Sequence, residues 1–209
     1  MSIIREACVE TREEIDAAIR GGACRIELCS RLDEGGFTPE PELLDYAVQR
    51  SMPVAAMVRR ASGFLAKSED LNILKADIRA MIAGGAQALV FGYITGEPPR
   101  LDISVLESLA EAAGQSKPEL VFHMAFDALP PDAHFAAIDI LAGMGFTRIL
   151  TKGGSGKAED NLVHLKALND YAQGKITLLC GGSVTDGNYL RIAEVTGITE
   201  FHGRKLAAG

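Results

Sequence analysis

The stretch "GGACRIELCS" (Gly21–Ser30) decides the fold, because it combines a helix end, a turn and a short apolar strand. The same pattern, a glycine followed by an apolar run, returns in "GGAQALVFGY" from Gly84, "MGFTRILTKG" from Met144 and "TGITEFHGRK" from Thr196. The copies recur roughly every 60 residues, and glycine in a left-handed conformation commonly ends a helix. The chain is therefore predicted to repeat a helix–strand unit.

Four more strand-like runs complete the pattern: "IIREACVE" from Ile3, "PVAAMVRR" from Pro53, "ELVFHMAF" from Glu119 and "KITLLCGG" from Lys175. Helical periodicity separates the runs, as in Leu71–Ile82, so strands and helices alternate. Alternation predicts parallel strands, and eight strands predict a closed (β/α)₈ TIM-type barrel over residues 1–209 as one domain. An open doubly wound sheet is the alternative, but no glycine-rich dinucleotide fingerprint follows the first strand.

The chain is too short for an eighth helix, because only "GRKLAAG" follows the last predicted strand. We expect the barrel to lack this helix and to leave the outward residues Ile198 and Phe201 uncovered. Covering such an apolar seam favours association, so the sequence predicts a homodimer or a higher homo-oligomer. In the alternative interpretation, the short tail itself folds over the seam.

Composition excludes several partners. The chain has 209 residues, 47% of them hydrophobic, a net charge of −7 and no basic run, which argues against nucleic acid and anionic membranes. Its apolar runs are strand-sized, and charge interrupts the first of them, so we predict neither a transmembrane helix nor a signal peptide. The four cysteines form no C-x-x-C motif, which favours a cytoplasmic protein with reduced thiols.

Strand alternation indicates which side chains enter the barrel. In "RIELC", Ile26 and Leu28 are the natural helix-facing pair, which turns Glu27 and Cys29 inward. The same parity predicts that Phe122, Met124 and Phe126 face outward. The predicted inward set on the other strands is Cys8, Glu10, Met57, Arg59, His123, Asp127, Lys152 and His202.

These inward residues lie toward the carboxyl ends of the strands, where barrel enzymes place their active sites. One hypothesis is a lyase, isomerase or hydrolase acting on a small anionic or phosphorylated ligand. The predicted acid–base residues are Glu27, His123, Asp127 and His202. The predicted anion-binding residues are Arg59, Lys152 and the glycine-rich turn Gly181, Gly182 and Ser183. The simpler alternatives are a structural Glu27–Arg59 ion pair, core histidines and ordinary tight turns.

Four segments carry a family resemblance: "RIELCSRLDEGGFTPE", "VFHMAFD", "RILTKGG" and "TEFHG". They resemble the signature segments of the CutC family over nearly the whole chain. The resemblance implies a cytosolic (β/α)₈ barrel, usually oligomeric, with a role in copper homeostasis and a cuprous ion bound by cysteines matching Cys8 and Cys29. Met124, Lys152 and Arg204 depart from the usual family pattern, which indicates a shifted anion site.

Two functions from different classes therefore stand. Cuprous ion prefers thiolate, thioether and imidazole, which makes Cys8, Cys29, Met57 and His123 plausible ligands. Copper homeostasis is the predicted function, with a copper ion as partner. The barrel enzyme with a small anionic ligand is the alternative, because carboxylates and guanidinium add nothing to a cuprous site.

Overall fold

A closed barrel of eight parallel strands forms the frame of the computed structural model, which describes residues 2–207. The barrel order is β1-β2-β3-β4-β7-β8-β9-β10, with β10 pairing back to β1, and β5 and β6 form a small antiparallel hairpin after β4. The predicted TIM-type barrel is thus confirmed. The strands are β1 (Ile4–Val9), β2 (Arg25–Leu28), β3 (Val54–Met57), β4 (Ala88–Phe91), β5 (Ile94–Thr95), β6 (Arg100–Leu101), β7 (Glu119–Phe122), β8 (Phe146–Thr151), β9 (Thr177–Cys180) and β10 (Glu200–Gly203).

Helices surround the barrel, and local chemistry starts them. At the first helix, the Thr11 hydroxyl accepts a hydrogen bond from the Glu14 amide at 3.1 Å, as an N-cap residue does. None of the helices within residues 2–207 has the length and apolar character that a bilayer crossing requires. The helices are α1 (Arg12–Arg20), α2 (Pro41–Gln49), α3 (Leu71–Ala83), α4 (Ile103–Ala112), α5 (His134–Gly143), α6 (Leu162–Ala172) and α7 (Tyr189–Thr196).

Two apolar layers follow the predicted alternation. Ile26, Leu28 and Phe201 are fully buried between the barrel and its helices, whereas Cys8 and Cys29 belong to a separate cluster inside the barrel. The inner cluster is completed by small and medium side chains, namely Ala55, Met57, Ala88, Val90 and Val121. Because inward and outward residues separate cleanly, the parity of these strands is confirmed.

Met124 is an exception, and its predicted outward position is wrong. Strand β7 ends at Phe122, and the chain then turns into a 3₁₀ helix over Met124–Ala128. The two-residue alternation of a strand ends with the strand itself, so it does not apply at position 124. The Met124 side chain instead lines the cavity at the barrel mouth.

The eighth helix is absent among residues 204–207, as predicted, but the seam beside β10 is not open. Leu206 and Ala207 are buried, and the Ala207 amide donates to the Asp186 carboxylate at 3.0 Å. Ile198 and Phe201 are also buried within this single chain. The tail therefore covers the seam, and the reason given for self-association is wrong. A homodimer or higher homo-oligomer stays a prediction, which sedimentation velocity at micromolar concentration tests.

Candidate functional site

A cavity of about 330 Å³ opens at the carboxyl ends of the barrel strands. It collects side chains from β1, β2, β3, β10 and the turn after β7. Five of the predicted site residues line it: Cys8, Glu27, Arg59, His123 and His202. The sequence-based parity therefore brings together residues that are far apart along the chain.

Cys8, Glu27 and His202 form the closest group of potential ligands. Their ligand atoms all lie within 4.8 Å of one another, and all three side chains are buried. Cys29 lies beside this group, because its Sγ is 3.4 Å from Glu27 Oε1. Cys8 Sγ lies 3.7 Å from the same oxygen. The two thiols thus share one carboxyl group, which places the predicted metal-binding cysteines in one cluster.

Glu6 supports this cluster, and sequence reasoning missed it. Its Oε1 lies 2.8 Å from His202 Nδ1, and its other oxygen accepts a hydrogen bond from Arg25 Nε. Arg25 also donates to Glu200 at 2.5 Å, so a chain of ion pairs lies beneath the cavity. Glu6 lies two residues before Cys8 on β1, so strand alternation could have predicted that it faces the same side as Cys8.

The charge of His202 follows from these contacts. Burial raises the pKa of Glu6, but hydrogen bonds to His202 and the charge of Arg25 outweigh it and bring the value to about 2. Burial lowers the pKa of His202, but the charge of Glu27 and hydrogen bonds to Cys8 and Glu6 raise it well above its ordinary value. At neutral pH, Glu6 is therefore a carboxylate and His202 an imidazolium.

The two cysteines differ in their protonation. A hydrogen bond from Cys29 lowers the pKa of Cys8 to about 5, despite burial. The same hydrogen bond, together with burial, raises the pKa of Cys29 well above its ordinary value. Burial also raises the pKa of Glu27 to about 8. The cluster therefore contains one thiolate and one thiol at neutral pH, beside a carboxyl group that burial makes harder to ionise.

Arg59 occupies another wall of the cavity and donates to three backbone carbonyls. Its Nη1 lies 2.7 Å from the oxygen of Gly35 and 3.0 Å from that of Gly36, and its Nη2 lies 3.3 Å from that of Gly63. Within residues 2–207, no carboxylate forms a salt bridge with it. The alternative of a structural Glu27–Arg59 ion pair is therefore wrong.

His123 is a buried neutral imidazole. Its Nδ1 accepts a hydrogen bond from the Ala125 amide at 3.1 Å, which starts the 3₁₀ helix after β7. Burial lowers the pKa of His123 to about 3, and the nearby charge of Arg59 adds to this effect. At pH 7 the His123 side chain therefore lines the cavity as an uncharged imidazole.

Asp127 lies outside the lining of this cavity. Its carboxylate accepts hydrogen bonds from the Thr151 hydroxyl at 2.7 Å, the Gly154 amide at 2.9 Å and the Lys152 amide at 3.1 Å. It therefore holds the loop after β8 in place. The proposed acid–base roles of Glu27, His123, Asp127 and His202 stay predictions, but the structure does not bring Asp127 into the cavity with the other three.

The predicted phosphate turn also lies outside the cavity lining. A side chain at Gly182 would meet Lys152 Cβ at 2.6 Å, and one at Gly181 would meet Leu150 Cδ1 at 2.7 Å. These glycines therefore allow the turn to pack against β8 and the loop that follows it. Ser183 follows them with a positive φ of 67°. Lys152, Gly181, Gly182 and Ser183 are thus not part of the cavity lining that contains Arg59, and their role in anion binding stays a prediction.

Sequence comparison finds a matching family model and relatives that cover nearly the whole chain. The CutC family model matches residues 3–207. A "family protein CutC" from Enterococcus faecalis is 39% identical over 98% of this chain and 100% of the relative. The human "Copper homeostasis protein cutC homolog" is 41% identical over 95% of this chain and 72% of the relative.

Solved structures lead to the same assignment. The crystal structure of CutC from Streptococcus agalactiae superposes with a TM-score of 0.92 at 35% identity, covering 98% of this chain and 99% of that one. The aldolase QR15 has a TM-score of 0.69 at 14% identity, with 98% and 92% coverage, which shows a shared fold alone. The match to the family model over nearly the whole chain is decisive: this chain belongs to the CutC family.

Proposed function

We propose that this protein serves copper homeostasis by binding a cuprous ion at Cys8, Cys29 and His202. The observation that carries the proposal is the approach of Cys8, Glu27 and His202 within 4.8 Å, with the Cys29 thiol beside them. The names of the human and mouse relatives, which are copper homeostasis protein homologs, support the same role.

The donor set fits the metal. Cuprous ion is soft and prefers thiolate and imidazole, both of which this cluster supplies. Cys8 is already a thiolate at neutral pH, whereas Cys29 and His202 must release a proton when the ion binds. Glu27 is a hard donor, so we assign it the role of a hydrogen-bonding partner of the two sulfur atoms rather than that of a ligand.

The cellular setting is part of the same proposal. All four cysteines are free thiols, and only Cys24 is exposed. Reduced thiols are the usual state of cysteine in the cytoplasm. We therefore assign the protein to the cytoplasm, where cuprous ion is the form of copper that thiols hold.

A competition titration tests the metal site. Cuprous ion is added under reducing, anaerobic conditions in the presence of a chromogenic cuprous chelator. Cys8→Ser and Cys29→Ser should each weaken binding about tenfold or more, because each removes one sulfur ligand. Cys24→Ser is the matched control, since this thiol is exposed and lies outside the cavity lining. Equal affinity of Cys8→Ser and Cys24→Ser would exclude the proposed site.

A further inference from the structure

Arg59 forms no salt bridge within residues 2–207, although it is almost entirely buried. The residue is 6% exposed, and no carboxylate in the described part of the chain pairs with its guanidinium. A guanidinium stays charged even when burial lowers its pKa, as it does here. A buried charge without a partner destabilises a fold. An anion that enters the cavity would supply the missing partner.

The hydrogen-bonding capacity of Arg59 is also incomplete. A guanidinium has five N–H groups, and three of them donate to the carbonyls of Gly35, Gly36 and Gly63. The Nε atom has no hydrogen-bond partner within residues 2–207. Nε and Nη2 lie on the same edge of the guanidinium, which is a geometry that matches the two oxygens of one carboxylate.

The remaining cations of the cavity are already neutralised. His202 pairs with Glu6 at 2.8 Å, and Arg204 at the rim lies 3.5 Å from Glu10. The Arg59 charge is therefore the one without a partner among the residues that line the cavity. A single guanidinium without a salt bridge matches a monoanion better than a phosphate dianion. The turn predicted to bind phosphate, Gly181–Ser183, is not part of the cavity lining.

The other walls of the cavity are largely apolar. The side chains of Met57, Phe64, Met124 and Leu150 line it, and the Phe64 ring lies 5.8 Å from the Arg59 guanidinium. A ligand for this space needs an apolar body as well as an anionic group. Pockets for small molecules commonly combine such walls with a few polar groups that fix orientation.

We propose that this cavity binds a small organic monocarboxylate, whose carboxylate pairs with Arg59 and whose apolar body contacts Met57, Phe64 and Met124. The proposal goes beyond the copper role, because Arg59 is not among the proposed copper ligands. A variant of this protein could therefore lose carboxylate binding and keep copper binding, or the reverse.

Methionine-methyl NMR tests the proposal directly. Protein labelled with ¹³C at the methionine methyl groups is titrated, without copper, with benzoate, benzyl alcohol and benzylamine as probes of matched size. The ring of bound benzoate should shift the methyl signals of Met57 and Met124, but not those of Met52 and Met144, which lie outside the cavity lining. Benzoate should bind roughly tenfold more tightly than benzyl alcohol, as expected for a charge-assisted hydrogen bond.

Two variants locate the anion. Arg59→Gln should reduce benzoate affinity to that of benzyl alcohol. Met124→Glu places a negative charge in the cavity without touching the carbonyl contacts of Arg59, and it should weaken benzoate roughly tenfold with Met57 as reporter. Val163→Glu makes the same charge change on an exposed position of α6 and should leave affinity unchanged.

The outcomes separate clearly. Benzoate binding no tighter than that of benzyl alcohol, or shifts at Met52 and Met144 instead of Met57, would overturn the proposal. Equal benzoate affinity in Met124→Glu and Val163→Glu would also overturn it. If Arg59→Gln does not fold, the comparison between the two glutamate variants decides the matter. Cuprous-ion binding by the same preparations reports separately on the proposed function.

Discussion

His202 on β10 and Glu6 on β1 are hydrogen-bonded across the strands that close the barrel, with 2.8 Å between Nδ1 and Oε1. Because Nδ1 is engaged by Glu6, the opposite nitrogen of the ring is the one available to a metal ion. The pair thus joins the structural ion pairs of the barrel interior to the cluster at its mouth.

Replacing Glu6 by Gln should therefore destabilise the protein strongly. The substitution leaves the buried charges of Arg25 and His202 with less compensation, and breaking such a network costs about 3 kcal/mol. Urea unfolding at pH 7 measures the effect. Asp139→Asn, which removes the exposed partner of Lys175, is the control and should change stability far less. Similar losses in the two variants would mean that the Glu6 network does not stabilise the barrel.

His123 should make the protein sensitive to mild acid. The unfolded chain binds a proton at this residue near pH 6.5, whereas the folded protein does so only near pH 3. Between these values the unfolded state holds one more proton, so the free energy of unfolding falls as the pH falls. From pH 7 to pH 5, this residue alone should lower it by about 2 kcal/mol.

His123→Asn tests this pH dependence. An asparagine oxygen can still accept the Ala125 amide hydrogen bond at this position, but the side chain does not titrate. Unfolding measured at several pH values should show a smaller loss of stability below pH 7 in the variant than in the wild type. If stability depended on pH in the same way in the two proteins, His123 could not be a buried neutral imidazole in the folded state.

Leu206 should stabilise the barrel much as a core residue does. It is fully buried where other barrels have their eighth helix, and a buried Leu→Ala change typically costs about 2–5 kcal/mol. Thermal or urea unfolding of Leu206→Ala measures this. Leu190→Ala on α7 is the control, since that side chain is 59% exposed and should contribute little. A loss no greater than that of the control would show that the tail does not hold the seam.

Much of this architecture could be predicted from sequence, because strand alternation is a local rule. Glu27, Cys29 and His202 turn inward for the same reason that Ile26 and Phe201 turn outward, and burial selects one register for each strand. The same rule applied to Glu6 would have identified the partner of His202. Its position in an apolar run near the start of the chain concealed this role.

The loops could not be predicted in this way. Met124 and Asp127 follow a strand that ends at Phe122, and the 3₁₀ turn gives them directions that alternation does not describe. Similarly, Gly181 and Gly182 are typical of a phosphate-binding turn, but here they allow close packing against Leu150 and Lys152. Whether a glycine approaches a ligand or a neighbouring side chain depends on tertiary contacts.

The pairing of β1 with β10 also governs how the chain folds during synthesis. Ile4 pairs in register with Glu200, so the ribosome delivers one neighbour of β1 only after the six other barrel strands. Until then, β1 and β9 each present an unpaired strand edge, which is a template for pairing with other chains. Contacts so distant in sequence also form slowly. We therefore expect ribosome-bound or truncated chains that lack β10 to aggregate more readily than the complete barrel.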